Sequence, residues 1–443
     1  MSDQNLFGCK ADDRNLMSDA APSDALGPPR VLRPERGQQQ WRASSIEELL
    51  PREHRARSIW TLVLRLDLSH FYAGIASRGG RAGRPAIDPT LLVALWLYAT
   101  AEGVGSAREL SRLCGEHDAY RWICGGVGVN HHTLSDFRVE HGEALDKLLT
   151  QVLAVMMREG LVQLERVAQD GTRIRASAGT KSFRRADTLR QRLELAAAHV
   201  REVKRQAESP DGGSRNARQQ AAAERAAREQ QERIERALAE LPKAQAAKAN
   251  RKRKGDVQEA RVSTTDPEAR VMKMGDGGYR PAFNVQLATD AQSRVIVGVS
   301  VSNTLDHNQL EPMLEQIERR TGGRPKQHLV DGGYAKLSAL AVAEATGVTV
   351  YAPVMEPRSA ERHAPRKWDT PAVASWRQRM QTDEAREIYK QRAATAETVN
   401  ADLKQWRALG SFGVRGINKA LALSLWSVLA YNLLRWMSLS TAS

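Results

Sequence analysis

Apolar and polar positions in the first part of the chain follow helical spacing. The segment 90–100 is almost wholly apolar and is ended by a Gly-Val-Gly break. Ser106, with Glu109 three residues later, has the pattern of a helix N-terminal capping box. A longer helical pattern runs over about 143–159. Several short helices separated by glycine turns predict an all-helical bundle, similar to a helix-turn-helix domain, over residues 31–160.

The pattern becomes a mixture of strands and helices from position 161 onward. Leu164, Val167 and Ala168 lead into Asp170 as a buried strand that ends in a polar turn. A hairpin, then strand, helix and strand, then further helices predict an α/β fold with a mixed sheet behind the helical domain. The predicted elements are strands at 282–289, 294–302, 327–330 and 348–352, and helices at about 308–320, 336–344, 382–408 and 418–437.

A basic segment at 181–260 separates the first strand from the others. It is rich in Ala, Arg, Gln and Glu and predicts long helices, broken once by Ser-Pro-Asp-Gly-Gly at 209–213. The segment holds 20 lysines and arginines against 12 acidic residues. Two interpretations remain open, a solvated helical face and a surface that contacts the DNA backbone.

Length and charge limit the classes of protein. The chain has 443 residues with a net charge of +14, which fits two to three domains of roughly 150 residues each. A strongly basic balance favours an acidic partner, and nucleic acid is the commonest one. Three cysteines cannot form a disulfide framework, so a reducing, cytoplasmic setting is expected. Cys114 and Cys124 lack partners at zinc-finger spacing, and we expect no structural zinc site.

Two segments bear on whether the chain carries a secretory signal or a membrane-spanning helix. Residues 1–30 carry few apolar side chains, and we expect a disordered tail without the apolar run of a secretory signal. The apolar stretch at 420–434 is shorter than the ~20 residues that a bilayer needs. We therefore expect it to be a buried helix of a soluble protein.

Two aspartates stand where predicted strands end, Asp170 and Asp331. Strand ends in open α/β sheets place side chains in a common crevice, so these carboxylates are expected to meet. Paired carboxylates repel each other unless a cation lies between them, and hard oxygen ligands suit Mg²⁺. A third acid would complete a site for two metal ions of the kind used in phosphoryl transfer.

The late polar helix is the expected source of that third acid. At ~100° per residue, its residues Tyr389, Arg392, Glu397 and Lys404 fall within an arc of roughly 140° and share one face. Such a face fits either a metal ligand among phosphate-binding cations or a solvated acid in exposed ion pairs. Spacing alone leaves both interpretations of Glu397 open.

Several motifs in the same order resemble those of a known family. The spacing from Tyr389 through Arg392 and Glu397 to Lys404 resembles the Tyr–Arg–Glu–Lys signature of DDE transposases from bacterial insertion sequences. Asp170-Gly-Thr-Arg-Ile-Arg-Ala is similar to the first-aspartate motif of that family, and Asp331-Gly-Gly-Tyr to the second. Segments 83–138 and 266–284 resemble the helical domain and the region before the second strand. The resemblance covers about residues 31–437.

The resemblance implies a domain plan and a chemistry. It implies an all-helical DNA-binding domain at 31–160 and a ribonuclease-H-like catalytic domain at 161–437 that contains the basic helical insertion 181–260. Asp170, Asp331 and Glu397 would bind two Mg²⁺ ions, which Mn²⁺ could replace, for cleavage at the element ends and strand transfer into target DNA. Arg392 and Lys404 would hold DNA phosphates, with Tyr389 beside them. The gap between Arg392 and Glu397 is one residue longer than in some branches of the family.

The resemblance also implies the partners. These are double-stranded DNA, as terminal inverted repeats and as target, and a second copy of the chain in the DNA complex. No membrane partner is expected, and the location would be the bacterial cytoplasm, at the nucleoid. A catalytically inactive, sequence-specific DNA-binding protein is the alternative function.

Other candidate residues carry weaker signals. Arg138 could contact DNA from a recognition helix, or its segment could simply open the next helix of the bundle. His131 and His132 point in different directions on a helix, so capping or backbone contact is favoured over metal binding. Asp306 follows a strand and precedes a helix, which suggests an N-cap, and it ranks fourth among the acids.

Overall fold

The computed structural model describes residues 45–75, 77, 85–208, 217–249, 259–354 and 362–440. The expected disordered tail at 1–30 and the predicted break at 209–213 lie outside the described residues. Everything below concerns the unit that begins at Ile46.

Among the described residues up to position 158 the regular elements are helices, and several of them begin at a good N-cap. Asp88 accepts a hydrogen bond from the Thr90 amide at 2.8 Å. Asn130 accepts one from the Thr133 amide at 2.9 Å, and these caps satisfy amides that the first turn leaves unpaired. The helices are α1 (Arg55–Val63), α2 (Ser69–Tyr72), α3 (Pro89–Ala101), α4 (Ala107–Glu116), α5 (Asp118–Cys124), α6 (His131–Glu140) and α7 (Gly142–Arg158).

The remaining described residues form a mixed sheet with helices around it. The strands are β1 (Arg166–Arg175), β2 (Phe183–Arg184), β3 (Val262–Ser263), β4 (Arg270–Lys273), β5 (Tyr279–Asp290), β6 (Ile296–Ser302), β7 (Gln327–Leu329) and β8 (Thr349–Tyr351). The helices are α8 (Ala186–Glu208), α9 (Ala217–Ala249), α10 (Leu310–Thr321), α11 (Leu337–Ala345), α12 (Pro371–Arg379), α13 (Asp383–Arg392), α14 (Thr398–Trp406) and α15 (Ile417–Ser440).

The sheet has both strand directions. Its order is β4–β5–β1–β7–β8, and β6 pairs with β5 on the same edge as β4. The pairs of β5 with β1, β4 and β6 are antiparallel, whereas β1–β7 and β7–β8 are parallel. The predicted α/β class is confirmed, and this arrangement is consistent with a ribonuclease-H-like sheet.

One prediction about the first strand is wrong. We expected the strand to end in a polar turn at Asp170, but β1 continues to Arg175 and stays paired with β5 over its whole length from Val167. The polar residues of Asp-Gly-Thr-Arg mimic a turn signal, yet the antiparallel ladder with β5 holds them extended. Asp170 therefore lies inside a strand.

The long apolar helix α15 joins the helical part to the sheet. It packs against α3, α6, α7 and β6, and one continuous cluster of buried side chains covers both parts. Asn432 accepts a hydrogen bond from the Ile296 amide and donates one to the Ile296 carbonyl, at 2.9 and 2.8 Å. The indole of Trp426 donates to the Arg138 carbonyl at 3.0 Å.

By length and composition alone, α15 is the one described helix that could cross a membrane. Most of its residues are buried inside the protein, among them Leu425, Trp426 and Leu429. The helix is buried, as the sequence predicted.

The basic insertion is a helical hairpin that leaves the sheet domain through a short ribbon. The strands β2 and β3 pair antiparallel, and α8 packs along α9. Their contact has a small apolar cluster of its own, which includes Leu189, Ile234 and Ala237. The ion pair between Glu240 and Arg270, at 3.0 Å, ties α9 to β4. The two predicted long helices are thus present.

Candidate active site

The sheet places Asp170 beside Asp331. In the parallel pair of β1 and β7, Ala168 lies opposite Leu329, and each aspartate follows two residues later along its own strand direction. Asp331 comes just after β7 and caps the next turn, with its Oδ1 accepting from the Gly333 amide at 2.7 Å. The register between adjacent parallel strands thus brings together two carboxylates that are far apart in sequence.

Asp170 is a buried carboxyl group with charges of both signs around it. Burial raises its pKa to about 6, against the opposing effect of the Arg392 guanidinium. The charges of Asp331 and Asp306 raise it further. A site that makes ionisation of a carboxyl group costly is one where a bound cation is favoured.

A π turn positions Glu397 near this pair. Helix α13 ends at Arg392, residues Ala393–Glu397 form a π turn, and α14 follows without a break. Because a π turn closes on the fifth residue, Arg392 and Glu397 lie one above the other. The Arg392 Nη2 atom is 3.7 Å from Glu397 Oε1, and its Nη1 atom is 3.6 Å from Asp170 Oδ1. The extra residue in the motif is thus taken up by the wider turn.

Arg392 is the residue that links the acids. Burial acts to lower its pKa, but the neighbouring Tyr389, Asp170 and Asp331 outweigh this effect and raise it. Its guanidinium carbon lies 5.9 Å from the centre of the Tyr389 ring. A cation of fixed charge therefore stands between Asp170 and Glu397.

Glu397 is exposed at the rim of the site. Its side chain is 65% exposed, against 19% for Asp170. Among the residues that the structure describes, no three acid, histidine or cysteine side chains are close enough together to hold a metal ion. The donors nevertheless fit Mg²⁺ in kind, since they are carboxylates, and Asp170 is buried beside the acid Asp331. Closing such a site requires Glu397 to turn inward.

Lys404 and Arg138 occupy different surroundings. Lys404 is exposed on α14, where partial burial of its ammonium group lowers its pKa and the charge of Asp170 opposes that shift. Arg138 is partly buried on α6, and its guanidinium lies 4.8 Å from the Trp96 ring and donates to the Gly105 carbonyl. These contacts give Arg138 a structural role between helices, whatever it contributes to binding.

Sequence reasoning missed Asn400, which touches the site directly. Its Nδ2 atom donates to Asp170 Oδ2 at 3.0 Å, while its own Oδ1 is buried without a hydrogen-bond partner. Asn400 follows Glu397 by three residues on one helix, so the two side chains share a face. That spacing was the available signal, but an asparagine in a polar helix is common.

A buried polar network supports β1 beside the aspartate. His328 contacts Gln169 at 3.0 Å, and Gln169 donates to Gln286 at 3.1 Å. Gln286 in turn donates to Asp306 at 2.7 Å and accepts from the Tyr334 hydroxyl at 2.5 Å. Burial lowers the pKa of His328 to about 3, so this histidine is neutral. The network fixes the strand that carries Asp170.

Asp306 belongs to this network, and the suggested N-cap role is wrong. Its Oδ1 accepts from Asn284 and Gln286 at 2.8 and 2.7 Å, and no helix amide is its partner. Its carboxylate packs so closely on Gly171 that a Cβ there would lie 2.2 Å from Oδ1. Glycine is therefore required after Asp170.

Comparison with protein families identifies two regions of the chain. A model described as Transposase DDE domain matches residues 256–433, which include Asp331 and Glu397. A model described as Transposase domain (DUF772) matches residues 44–140, which hold α1 to α6. Asp170 lies between the two matches. No curated protein and no solved structure matches the chain.

Proposed function

The chain belongs to the DDE transposases of insertion-sequence type, and on that basis we propose that it cuts the ends of a mobile element and joins them to target DNA. The observation that carries this proposal is the arrangement of Asp170 beside Asp331, with Arg392 joining Asp170 to Glu397 across the π turn. Two carboxylates on adjacent strands and a third on a docked helix suit metal-dependent phosphoryl transfer.

Each acid would have a distinct task. Asp170 would be the fixed ligand, because its strand and the hydrogen bond from Asn400 hold it in place. Asp331 would bind from the turn after β7. Glu397 would complete the site by rotating its exposed side chain inward. Mg²⁺, or Mn²⁺ in its place, would act as a Lewis acid toward the attacking hydroxyl group and the leaving 3′-oxygen.

The basic residues would bind the substrate. Arg392 makes only long contacts with Asp170 and Glu397, so its guanidinium can turn to a DNA phosphate when a metal ion neutralises the acids. Lys404 would bind a second phosphate as a point charge. Tyr389 would keep the Arg392 guanidinium oriented through ring contact.

The finer assignments are part of the same proposal. The chain would belong to the Tyr–Arg–Glu–Lys branch, on the support of its motif spacing, with the longer gap before Glu397 accommodated by the π turn. Residues 31–160 would form the DNA-binding domain, Arg138 included. The substrates would be terminal inverted repeats and target DNA, handled by a dimer at the nucleoid of a bacterial cell.

One observation favours a second candidate function. Glu397 is exposed and ion-paired, and within the described ranges the carboxylates do not form a group of three. A protein that binds the element ends without cutting them would keep this arrangement. The same experiment separates the two functions.

The test measures cleavage of a labelled duplex that carries the DNA flanking this gene. Wild type and Glu397→Gln are compared in Mg²⁺, Mn²⁺ and EDTA. We expect metal-dependent breaks at a fixed position for wild type and a loss of at least about two orders of magnitude for the variant, because a charged ligand is removed. Binding of the duplex in EDTA should persist or tighten slightly, since one negative charge is lost.

Glu387→Gln is the matched control. Glu387 lies on α13, is 70% exposed and pairs with Lys390 at 2.5 Å, so the same chemical change is made outside the site. Its cleavage should equal that of wild type. Tight binding by wild type without cleavage in any metal would move the assignment to the non-catalytic DNA-binding protein.

A further inference from the structure

A cleft separates the helical part of the molecule from the end of α14. Its volume is about 700 Å³, within the range of small-molecule sites. One wall carries the beginnings of α4 and α6, and the other carries Lys404 and the loop after α14. Four glycines line it, Gly103, Gly105, Gly410 and Gly413, and the first two let the helical wall pack closely on Trp406 and Ala408.

The lining is basic. Five of its side chains are cationic or can become so, and no carboxylate is among the described residues that line the cleft. The basic residues are Arg108, His131, His132, Arg138 and Lys404. Such a surface without compensating acids attracts anions, and the N-terminal ends of α4 and α6 add partial positive charge to the same wall.

The cleft is connected to the acidic site through Lys404. Lys404 lines the cleft, and it is near enough to Asp170 for the two charges to interact. Glu397 and Lys404 lie at opposite ends of about two turns of one continuous helix. A polyanion that runs from the acidic site along Lys404 would therefore enter the cleft.

We propose that this cleft binds the phosphodiester backbone of the DNA strand that leads away from the cleaved bond. The proposal rests on the proposed function, because it assigns the path of the same substrate. Arg108 and the neighbouring side chains of His131 and His132 bind its phosphates, and Ser135 lines the same cleft. The helical part thus holds DNA at the cleft as well as through any contact with base edges.

The test is a fluorescence anisotropy titration with a short labelled duplex of random sequence, in EDTA, at several salt concentrations. Arg108 is exposed in the first turn of α4, so Arg108→Gln should fold normally. We expect weaker binding and a salt slope smaller by about 0.9, the value for one lost phosphate contact. Ser135→Phe, which narrows the cleft without changing charge, should weaken binding with a larger effect on affinity than on the salt slope.

Arg158→Gln is the control, because Arg158 is an exposed residue of α7 that does not line the cleft. The proposal would be overturned if Arg108→Gln and Arg158→Gln reduced the salt slope of DNA binding equally. Unchanged DNA binding by Ser135→Phe would also overturn it. Inorganic pyrophosphate serves as a competitor. If it binds with Arg108 dependence while DNA binding has none, the cleft is a site for a free anion instead.

This test is independent of cleavage. It is repeated with Glu397→Gln, in which the proposed chemistry is removed and the cleft is unaltered. Binding that depends on Arg108 in both backgrounds supports the cleft whether or not the protein cuts DNA. Cleavage without any dependence on the cleft supports the proposed function and overturns the inference.

Discussion

At the scale of single residues, the burial of Asp170 lowers the stability of the free protein but suits the binding of a cation. Its carboxyl group is buried next to Asp331 and Asp306, and Arg392, Asn400 and the Gly171 amide offset part of the cost. In the folded state its pKa of about 6 is above the ordinary value of 3.8. The raised pKa means that ionised Asp170 destabilises the free protein near neutral pH.

We therefore predict that Asp170→Asn stabilises the protein while it abolishes cleavage. The folded state holds the proton more tightly, so the stability that this group contributes is present at low pH and lost as pH rises through about 6. Urea denaturation should show a gain on the order of 2 kcal/mol near pH 7.5 and almost none near pH 4, where both side chains are neutral.

Asp136→Asn, at an exposed position on α6, is the control and should change stability little at either pH. A loss of stability near pH 7.5 in Asp170→Asn would mean that Arg392 and Asn400 already compensate the charge. Added Mg²⁺ should stabilise wild type and leave Asp170→Asn unaffected, since binding to the folded state alone raises stability.

The sequence predicted much of this site at the level of residue type. Asp331 was found because it follows a strand pattern. Asp170 was found on the same ground, but it lies inside β1 and meets Asp331 through the register of β1 and β7. Asn400 and the network through Gln286 could not be found in the same way. Their significance depends on which strands pair and in what register, and amide side chains in a sequence carry no such signal.

At the scale of elements, the π turn at Ala393–Glu397 is the feature that regular periodicity does not predict. A spacing of 100° per residue puts Arg392 and Glu397 about 140° apart, at the two limits of the predicted face. It gives no account of the extra residue between Arg392 and Glu397. The wider turn depends on packing of this segment against β1 and β5, which is tertiary information.

We predict that deletion of Ala394 converts the π turn into regular α-helix without loss of function. Ala394 is exposed within the π turn. In an α-helix the fourth residue returns to the same face, so the glutamate stays near Arg392 and α14 keeps its orientation. The melting temperature should stay the same or rise, and metal-dependent cleavage should persist, as measured by calorimetry and the duplex assay.

Deletion of Lys390 is the matched change in regular helix. Lys390 is also exposed, but the loss of one residue in α13 turns the preceding side chains by about 100°. We expect a melting temperature lower by more than about 5 °C and no cleavage. Equal damage from the two deletions would show that the π turn does not absorb the extra residue.

At the scale of the whole molecule, the main apolar core and the core of the α8–α9 hairpin are separate clusters of buried side chains. The large cluster spans α1 to α7, the strands β1, β5 and β6, and α15, so these parts should unfold together. The hairpin of α8 and α9 has its own small cluster and joins the sheet domain through the ribbon of β2 and β3. The composition of this segment predicted its two long helices, because they are locally encoded.

We predict that the insertion can be removed without unfolding the rest. Arg184 pairs with Val262 across the ribbon, so an Asn-Gly turn can join them in place of residues 185–261. Arg270 loses Glu240 but keeps its bonds to the Pro267 and Ala269 carbonyls. The shortened protein should unfold in one transition, with a melting temperature within a few degrees of wild type.

The comparison variant is Asn432→Leu in the full-length chain. This change leaves the Ile296 backbone groups without partners inside the core. That change should lower stability by about 2–5 kcal/mol, because two buried polar groups lose their hydrogen bonds. If excision of the hairpin costs as much as Asn432→Leu, the insertion is part of the main core after all.

The position of α15 has a consequence for synthesis. Helix α3 is apolar around its whole circumference and is buried partly by α15, which the ribosome makes long after α3. A growing chain therefore carries an uncovered apolar helix through most of translation, a state that is prone to aggregation. Gene copies interrupted before α15 would yield chains without a closed core, so the coding region for this helix decides whether a damaged element still produces a folded protein.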